Sequence, residues 1–257
     1  MLDFTVIGIT NSSYPHKFGT PRQPGLVPEA NAFLEIYPEF QPSLSLEGLN
    51  QYSHLWVIYL FHAAKRARFR AKIHPPRLGG KTQGCFATRT PHRPNPIGLS
   101  LVKIEKIESS GIWVRGVDFI SGTPILDIKP YLPTIEAKPQ AQSQEFDAGI
   151  NPAIDVTWSA GALAKLEEIE LDSANRELRK IVESTLRLDP RPLVYRGYED
   201  RESKYRSSHI VMIRNFDITF HFESLQSVCV DEIKVLDMSS TPTGKEVAWS
   251  KDISKII

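Results

Sequence analysis

The chain has 257 residues, of which 41% are hydrophobic and 24% charged, and these proportions exclude a disordered or coiled-coil chain. Its longest apolar run, at residues 55–64, is too short for a membrane helix and contains His62, so we expect no membrane span. The chain opens without a basic segment followed by an apolar one, and its only cysteines are Cys85 and Cys229. These features predict a protein of the reducing cytoplasm without a secretory signal or a metal–cysteine cluster.

Charge is balanced over the whole chain but not along it. There are 31 basic and 30 acidic residues in total, yet residues 65–106 hold eleven Lys or Arg residues and a single acid, Glu105. Such a block creates a local positive potential that a polyanion can sense. A solvated loop whose charges are balanced by acids elsewhere explains it equally well, so charge alone leaves nucleic-acid binding open.

The first 140 residues are predicted to form short strands separated by proline-rich loops. Apolar and β-branched segments place strands at 4–10, 33–36, 55–61, 84–89, 97–107, 112–119 and 124–128. A Ser-Ser-Gly turn at 109–111 predicts a hairpin, because glycine readily adopts the positive φ of a tight turn. Residues 65–72 are rich in Ala, Arg and Lys and can form a short basic helix. Strands without intervening helices predict an antiparallel β-barrel or sandwich, not an alternating α/β sheet.

The pattern changes after a polar stretch at 138–144, which is the best candidate for a linker. Beyond it, two helical stripes each follow a serine that can act as the N-cap, Ser159 for the first and Ser173 for the second. Their apolar positions are Leu163, Leu166 and Ile169, then Leu178, Ile181, Val182 and Leu186. Alternating strands return at 210–222 and 228–235. We therefore divide the chain into a β domain at 1–140 and a small α+β domain at 141–257.

Several common sites are missing from the sequence. No Gly-x-Gly-x-x-Gly follows a strand and opens a helix, so an ordinary dinucleotide-binding fold is not expected. The seven histidines are scattered, without a pair at metal-ligand spacing, so we predict no metal site. Cys85 lies among apolar residues, which favours a buried structural thiol over a nucleophile.

Three segments combine a stiff backbone with strongly polar side chains. The first, Phe-Gly-Thr-Pro-Arg-Gln-Pro-Gly at 18–25, holds an arginine and a glutamine between prolines. The second, Gly-Cys-Phe-Ala-Thr-Arg-Thr-Pro-His-Arg-Pro-Asn-Pro-Ile-Gly at 84–98, places two arginines in a three-proline corner. The third, Gly-Thr-Pro-Ile-Leu-Asp-Ile-Lys-Pro-Tyr at 122–131, sets a carboxylate and an ammonium on a short strand. Each alone can be an ordinary turn, but together they indicate a site for a small polar ligand.

These three segments resemble, nearly residue for residue, the signatures of the TsaA-like family of tRNA methyltransferases, also called YaeB or TrmO. The resemblance covers about residues 4–140, with a weaker similarity at 196–206, and the motif at 84–100 is specific. It implies an S-adenosylmethionine site built on a β-barrel and not on a Rossmann-type sheet, in agreement with the missing glycine fingerprint. It also implies a homodimer that methylates the exocyclic amine of threonylcarbamoyl-adenosine just 3′ of the anticodon in threonine tRNA.

Matched position by position, the resemblance implies a set of cofactor-binding residues. They are Pro21, Arg22, Gln23, His62, Ala63, Arg89, Leu99, Leu126, Asp127, Ile128 and Lys129. Arg22 or Arg89 can bind the methionine carboxylate as a bidentate pair, and Asp127 can accept from the ribose hydroxyls or the ammonium. Backbone groups around Leu126 and Ile128 can read the adenine edge. Which residue binds which part stays open.

The implied reaction is an in-line displacement at a sulfonium methyl, so alignment matters most and no general base is required. Asn95, whose backbone is stiffened by Pro96, is the catalytic candidate that accepts a hydrogen bond from the acceptor amine. The alternative is that Asn95 only shapes the turn.

Basic residues would contact the tRNA, whose anticodon loop offers unstacked bases. The candidates are Arg66, Arg68, Arg70, Lys72, Arg77, Lys81, Arg93, Arg196, Tyr198, Arg201, Lys204, Tyr205 and Arg206. For the stretch 196–206, local ion pairs with neighbouring acids are an equal explanation. Two other functions remain open: a barrel that methylates another RNA or a small molecule, and a non-catalytic RNA-binding adaptor.

Overall fold

The computed structural model describes residues 4–63, 69–75, 81–142, 154–191 and 208–237. Its strands are β1 (Gly8–Ser12), β2 (Asn31–Ile36), β3 (His54–Leu60), β4 (Lys72–Ile73), β5 (Gln83–Gly84), β6 (Ile97–Glu108), β7 (Gly111–Arg115), β8 (Pro124–Pro130), β9 (Asp155–Trp158), β10 (His209–Ile213), β11 (Phe216–Ser224) and β12 (Ser227–Val235). Its helices are α1 (Pro42–Ser45), α2 (Pro133–Glu136), α3 (Ala160–Glu170) and α4 (Leu178–Arg187). Within these described ranges, no helix has the length and apolar character needed to cross a bilayer.

Six antiparallel strands close into a barrel in the order β1-β2-β7-β6-β3-β8. Closure comes from β8, which pairs with β1 on one edge and β3 on the other. Alternate residues of β3 point inward, where Leu55, Val57 and Tyr59 are almost completely buried. Small barrels of this kind are filled by such side chains. The predicted β-barrel is confirmed, and so is the hairpin that joins β6 to β7 at residues 109–111.

The structure differs from the sequence prediction in the motif at 84–98. Only Gln83–Gly84 is extended there, and Cys85–Ala87 forms a 3-10 turn, so the predicted strand at 84–89 is wrong. The turn forms because the Cys85 carbonyl accepts from both the backbone N–H and the hydroxyl of Thr88. The basic helix predicted at 65–72 falls partly outside the described residues, but Lys72 lies in β4.

The C-terminal unit is a four-stranded sheet in the order β10-β11-β12-β9, in which β9 runs parallel to β12. Ser159 caps α3, because its Oγ accepts from the Ala162 N–H at 3.1 Å, as predicted. Ser173 does not cap α4, which begins only at Leu178. The side chain of Asp172 instead accepts a hydrogen bond from the Ala174 N–H at 3.0 Å and caps a separate 3-10 turn before the helix.

The residues that follow β1 join the barrel to the C-terminal unit. The hydroxyl of Tyr14 lies 3.0 Å from that of Thr185 in α4, and both side chains are buried. The ring of Phe18 stacks on Phe220 in β11, with centroids 6.5 Å apart. One hydrophobic cluster therefore runs through both parts of the molecule. Residues 138–142 of the predicted linker belong to no helix or strand, and the division at 140 stays a prediction.

Candidate functional site

The three residues that follow β3 lie at one end of the barrel beside parts of the proline-rich segments, and we call this region the motif end (residues 61–63 with the adjoining parts of 17–25, 89–98 and 116–124). The Phe61 N–H donates to the Pro96 carbonyl of the second segment at 2.8 Å. The carbonyl of Ala63 accepts from the ammonium of Lys17, next to the first segment. The His62 ring lies beside Gly122 of the third, where a β-carbon would be 3.9 Å from Nε2. Three consecutive residues thus contact the second segment, the third segment and the residue that precedes the first.

Arg89 and Gln23 link the first two segments directly. Arg89 donates from Nη1 to Oε1 of Gln23 at 2.6 Å. The amide nitrogen of Gln23 in turn donates to the Arg22 carbonyl at 2.5 Å, which orients the amide. Arg89 is therefore a neighbour in the fold of the consecutive residues Arg22 and Gln23, from which it is separated by more than 60 positions in sequence.

The third segment contributes a row of side chains on the outer face of the barrel. Asp127 lies opposite Ile58 of β3, which lies opposite Leu99 of β6, so the three side chains share one face. Leu99 is 53% exposed, which is high for a leucine in a barrel strand. The Asp127 carboxylate pairs with Lys129 at 2.8 Å and accepts the Ile128 N–H at 2.9 Å. Polar and apolar groups thus lie side by side on this face.

A β-bulge in β8 falls within the same segment. Tyr59 pairs with Ile125 and Ile58 with Asp127, so Leu126 is an extra residue with no partner on β3. The extra residue of a bulge lies outside the regular ladder, which makes its backbone groups available to a ligand. The bulge therefore supports the predicted reading of an adenine edge near Leu126.

The surroundings of His62 favour the uncharged form of its ring. Burial lowers the pKa of His62, and the charge of Lys17 lowers it further, against a hydrogen bond to the Leu60 backbone that raises it. A neutral imidazole adds no positive charge beside a cationic ligand.

A polar cluster inside the barrel was missed by sequence reasoning. Ser100 of β6 donates to Asp118 and lies 3.3 Å from the hydroxyl of Tyr59. Burial raises the pKa of Asp118 to about 6, although the Ser100 hydrogen bond and the charge of Arg89 act against the rise. Burial and the charge of Asp118 raise the pKa of Tyr59. The one available signal was a serine at an inward position in the apolar first half of β6.

Asn95 is exposed at the motif end, on the corner that leads into β6. Its carbonyl accepts from the Ile97 N–H at 2.8 Å, and the next residue, Pro96, binds the end of β3. The corner is therefore held by backbone contacts, and the proposed catalytic role of the side chain stays a prediction.

Some candidate RNA-binding residues can be located and others cannot. Arg70, Lys72 and Lys81 are exposed. Arg93 bonds within its own loop, donating to the Thr88 carbonyl at 2.6 Å and the Cys85 carbonyl at 3.3 Å. The candidates outside the described residues are Arg66, Arg68, Arg77, Arg196, Tyr198, Arg201, Lys204, Tyr205 and Arg206.

Known proteins match the chain over most of its length. The family model of the tRNA-methyltransferase O N-terminal domain matches residues 9–137, and that of the TrmO C-terminal domain matches residues 151–236. A Pseudomonas aeruginosa protein named putative S-adenosylmethionine-dependent methyltransferase RcsF is 39% identical over 234 residues, which span 91% of this chain and 96% of that protein. The Escherichia coli tRNA (adenine(37)-N6)-methyltransferase is 37% identical over 201 residues, 76% of this chain and 85% of that protein. The crystal structure of TrmO from Pseudomonas aeruginosa aligns with a TM-score of 0.74 at 34% identity, covering 91% of this chain and 97% of the other.

Proposed function

The chain belongs to the tRNA-methyltransferase O family, and on that premise we propose that it methylates N6 of adenine 37 in tRNA with S-adenosylmethionine as the donor. The acceptor we propose is threonylcarbamoyl-adenosine just 3′ of the anticodon, and the enzyme acts as a cytoplasmic homodimer. The observation that carries the proposal is the meeting of the second and third motif segments at the end of β3, with the first segment joined to the second by the hydrogen bond from Arg89 to Gln23.

The residues present at this site fit the donor molecule. Arg89 and Arg22 supply cationic donors for its carboxylate, with Gln23 holding Arg89 in place. Asp127 can accept from ribose hydroxyls or the ammonium. The bulge at Leu126 offers backbone groups to the adenine. When bound, the donor supplies a methyl group already activated by the positive charge on sulfur.

The chain's own residues contribute by aligning the acceptor amine with the methyl donor and by setting the charge around both. The acceptor amine is conjugated into the adenine ring, so it is a weak nucleophile that gains positive charge during transfer. Asn95 accepts a hydrogen bond from its N–H and stabilises that charge. The neutral ring of His62 avoids repulsion of the cationic donor.

The cofactor site is tested by substituting Arg89. We expect Arg89→Gln to weaken S-adenosylmethionine binding by about 10- to 100-fold in calorimetry, since a charge-assisted hydrogen bond is lost. Arg179→Gln, at an exposed arginine of α4, is the matched control and should bind normally. Equal binding by both variants would remove Arg89 from the site.

The acceptor is tested with purified tRNA that carries or lacks the threonylcarbamoyl group. We expect radiolabelled methyl transfer only to the modified tRNA. Equal transfer to both substrates would reject the modified base as the acceptor. Methylation of neither would favour another RNA or a small molecule, and the absence of S-adenosylmethionine binding would favour the adaptor.

The role of Asn95 is tested by measuring S-adenosylmethionine affinity and turnover separately in one variant. We expect Asn95→Ala to keep its affinity for S-adenosylmethionine and to lower kcat by at least about tenfold, as for other groups that stabilise developing charge. A kcat equal to that of the unsubstituted enzyme would restrict Asn95 to shaping the turn.

A further inference from the structure

Two exposed phenylalanines lie together, one shortly before β4 and the other on the turn that leads from β5 to Arg89. The side chain of Phe86 is 74% exposed and that of Phe69 is 51% exposed. Their rings stack, with centroids 6.4 Å apart and planes inclined by 30°. Large exposed aromatic surfaces are unfavourable in water, so an adjacent pair indicates a surface that a ligand covers.

Phe86 is anchored by neighbouring residues of its own loop. Phe86 lies in the Cys85–Ala87 turn, whose first residue, Cys85, is buried and anchors it. The guanidinium carbon of Arg93 lies 5.6 Å from the centre of the Phe86 ring. Since Arg93 also donates to the Thr88 and Cys85 carbonyls, it cannot swing away from the ring without breaking both bonds. Little ordering is then required when a flat ligand stacks here.

A basic cleft of about 310 Å³ is lined by residues that are sequence neighbours of this aromatic surface. Among the described residues, its lining contains no acid and consists of Arg70, Lys72, Ile73, His74, Thr90, Pro91 and His92. Arg70 directly follows Phe69, and His92 directly precedes Arg93. Nδ1 of His92 is buried without a hydrogen-bond partner among the described residues. Cationic and neutral donors without a carboxylate match a phosphate group.

We propose that Phe69, Phe86 and Arg93 form a stacking platform for an unpaired nucleobase of the anticodon loop, and that the neighbouring cleft binds a backbone phosphate. Bases in single-stranded RNA stack on aromatic rings and on arginine planes in this way. Phe86 lies three residues from Arg89, so a base on the platform lies close to the donor site. The proposal rests on the proposed function, because it specifies how the tRNA substrate is held.

The platform is tested by tRNA binding to the full-length protein. We expect Phe86→Ala to weaken tRNA affinity by about tenfold and to raise KM with S-adenosylmethionine affinity unchanged, whereas Phe86→Tyr restores tRNA affinity. Leu171→Ala, which truncates a leucine that is 84% exposed beyond α3, is the matched control and should bind normally. The salt dependence of tRNA affinity separates the aromatic platform from the phosphate-binding cleft. Phe86→Ala should leave the slope of log affinity against log salt concentration unchanged, because no charge is removed. Lys72→Gln should reduce that slope by about one.

Three results would overturn the platform. The first is normal tRNA affinity in Phe86→Ala when the unsubstituted enzyme binds and methylates tRNA, which leaves the proposed function standing. The second is a change of molecular mass in Phe86→Ala by sedimentation, which would make the aromatic pair a contact between subunits. The third is failure of the unsubstituted protein to bind tRNA at all, and only this result removes the proposed function as well.

Discussion

Asp118 follows β7 and is partly buried, with its carboxylate against the inward-facing Ser100 of β6. Its carboxylate accepts from Ser100, but the pKa raised to about 6 shows that this bond and the charge of Arg89 do not offset burial. A carboxyl with a raised native pKa holds its proton more tightly in the folded than in the unfolded state. Folding stability therefore falls as pH rises from about 4 to about 6 and stays reduced above that range. A residue that costs stability at neutral pH, next to a ligand site, is typical of a functional group.

We expect Asp118→Asn to be more stable than the unsubstituted protein by about 2 kcal/mol at pH 8, because the amide keeps an acceptor for Ser100 without a buried charge. The difference should disappear near pH 4, where both side chains are neutral. Methyl transfer should fall in the same variant. Urea unfolding at pH 4 and pH 8, with kcat at pH 8, measures all three effects.

Asp155→Asn is the control, because Asp155 is exposed at the start of β9. Its stability difference from the unsubstituted protein should not depend on pH. An Asp118→Asn protein that is equally stable, or less stable, at pH 8 would contradict the assignment of a costly ionised carboxyl.

At the scale of elements, the barrel strands were predictable where one face is buried. The short apolar run of β3 and the glycine of the β6–β7 turn were sufficient to predict those elements, because both signals come from neighbouring residues. The turn at Cys85–Ala87 was not predictable, since its apolar residues resemble a strand and the Thr88 hydroxyl decides the outcome. Strand β9 has only four residues and depends on pairing with β12, more than 60 residues away.

The close approach of β7 to its neighbour β2 depends on Gly111, which lies at the start of β7. A β-carbon on Gly111 would lie 2.1 Å from the Leu34 carbonyl oxygen of the neighbouring strand. We expect Gly111→Ala to destabilise the protein by at least about 2 kcal/mol in urea unfolding, because backbone cannot yield as a side chain does.

Gly161→Ala is the matched control within α3. A β-carbon there meets no atom within 4 Å, so we expect a gain of about 0.5 kcal/mol from helix propensity. A similar loss of stability in both variants would show that crowding at β7 is not the cause.

At the scale of the whole molecule, the segment that supplies Gln23 is also packed on the C-terminal unit. Tyr14 bonds to Thr185, Phe18 stacks on Phe220, and the ammonium of Lys17 contacts the end of β3. The residue types of the candidate site were predictable from the three motifs. Their convergence was not, because it depends on which loops meet at the same end of a closed barrel. We infer that the C-terminal unit helps to place the loop that we propose to bind the cofactor.

Two glycines of that segment test this dependence. Gly19 has φ +87° and a β-carbon there would lie 2.2 Å from Val211, whereas Gly25 has φ +78° and open space around it. Both Ala variants carry a backbone penalty of about 1 kcal/mol. Gly19→Ala should in addition displace the loop from β10 and weaken S-adenosylmethionine binding in calorimetry, with Gly25→Ala closer to normal. Equal affinities in the two variants would disconnect the C-terminal unit from the donor site.

Leu126 is a residue that the barrel itself does not need. Ile125 and Asp127 are already paired with consecutive residues of β3, so their inward and outward orientations are those of an uninterrupted ladder. We expect a chain lacking Leu126 alone to keep every flanking pair and to lose the backbone groups that we propose for the adenine. Donor recognition at this edge would then be a one-residue insertion into an otherwise complete scaffold, and the shortened protein should fold without binding S-adenosylmethionine.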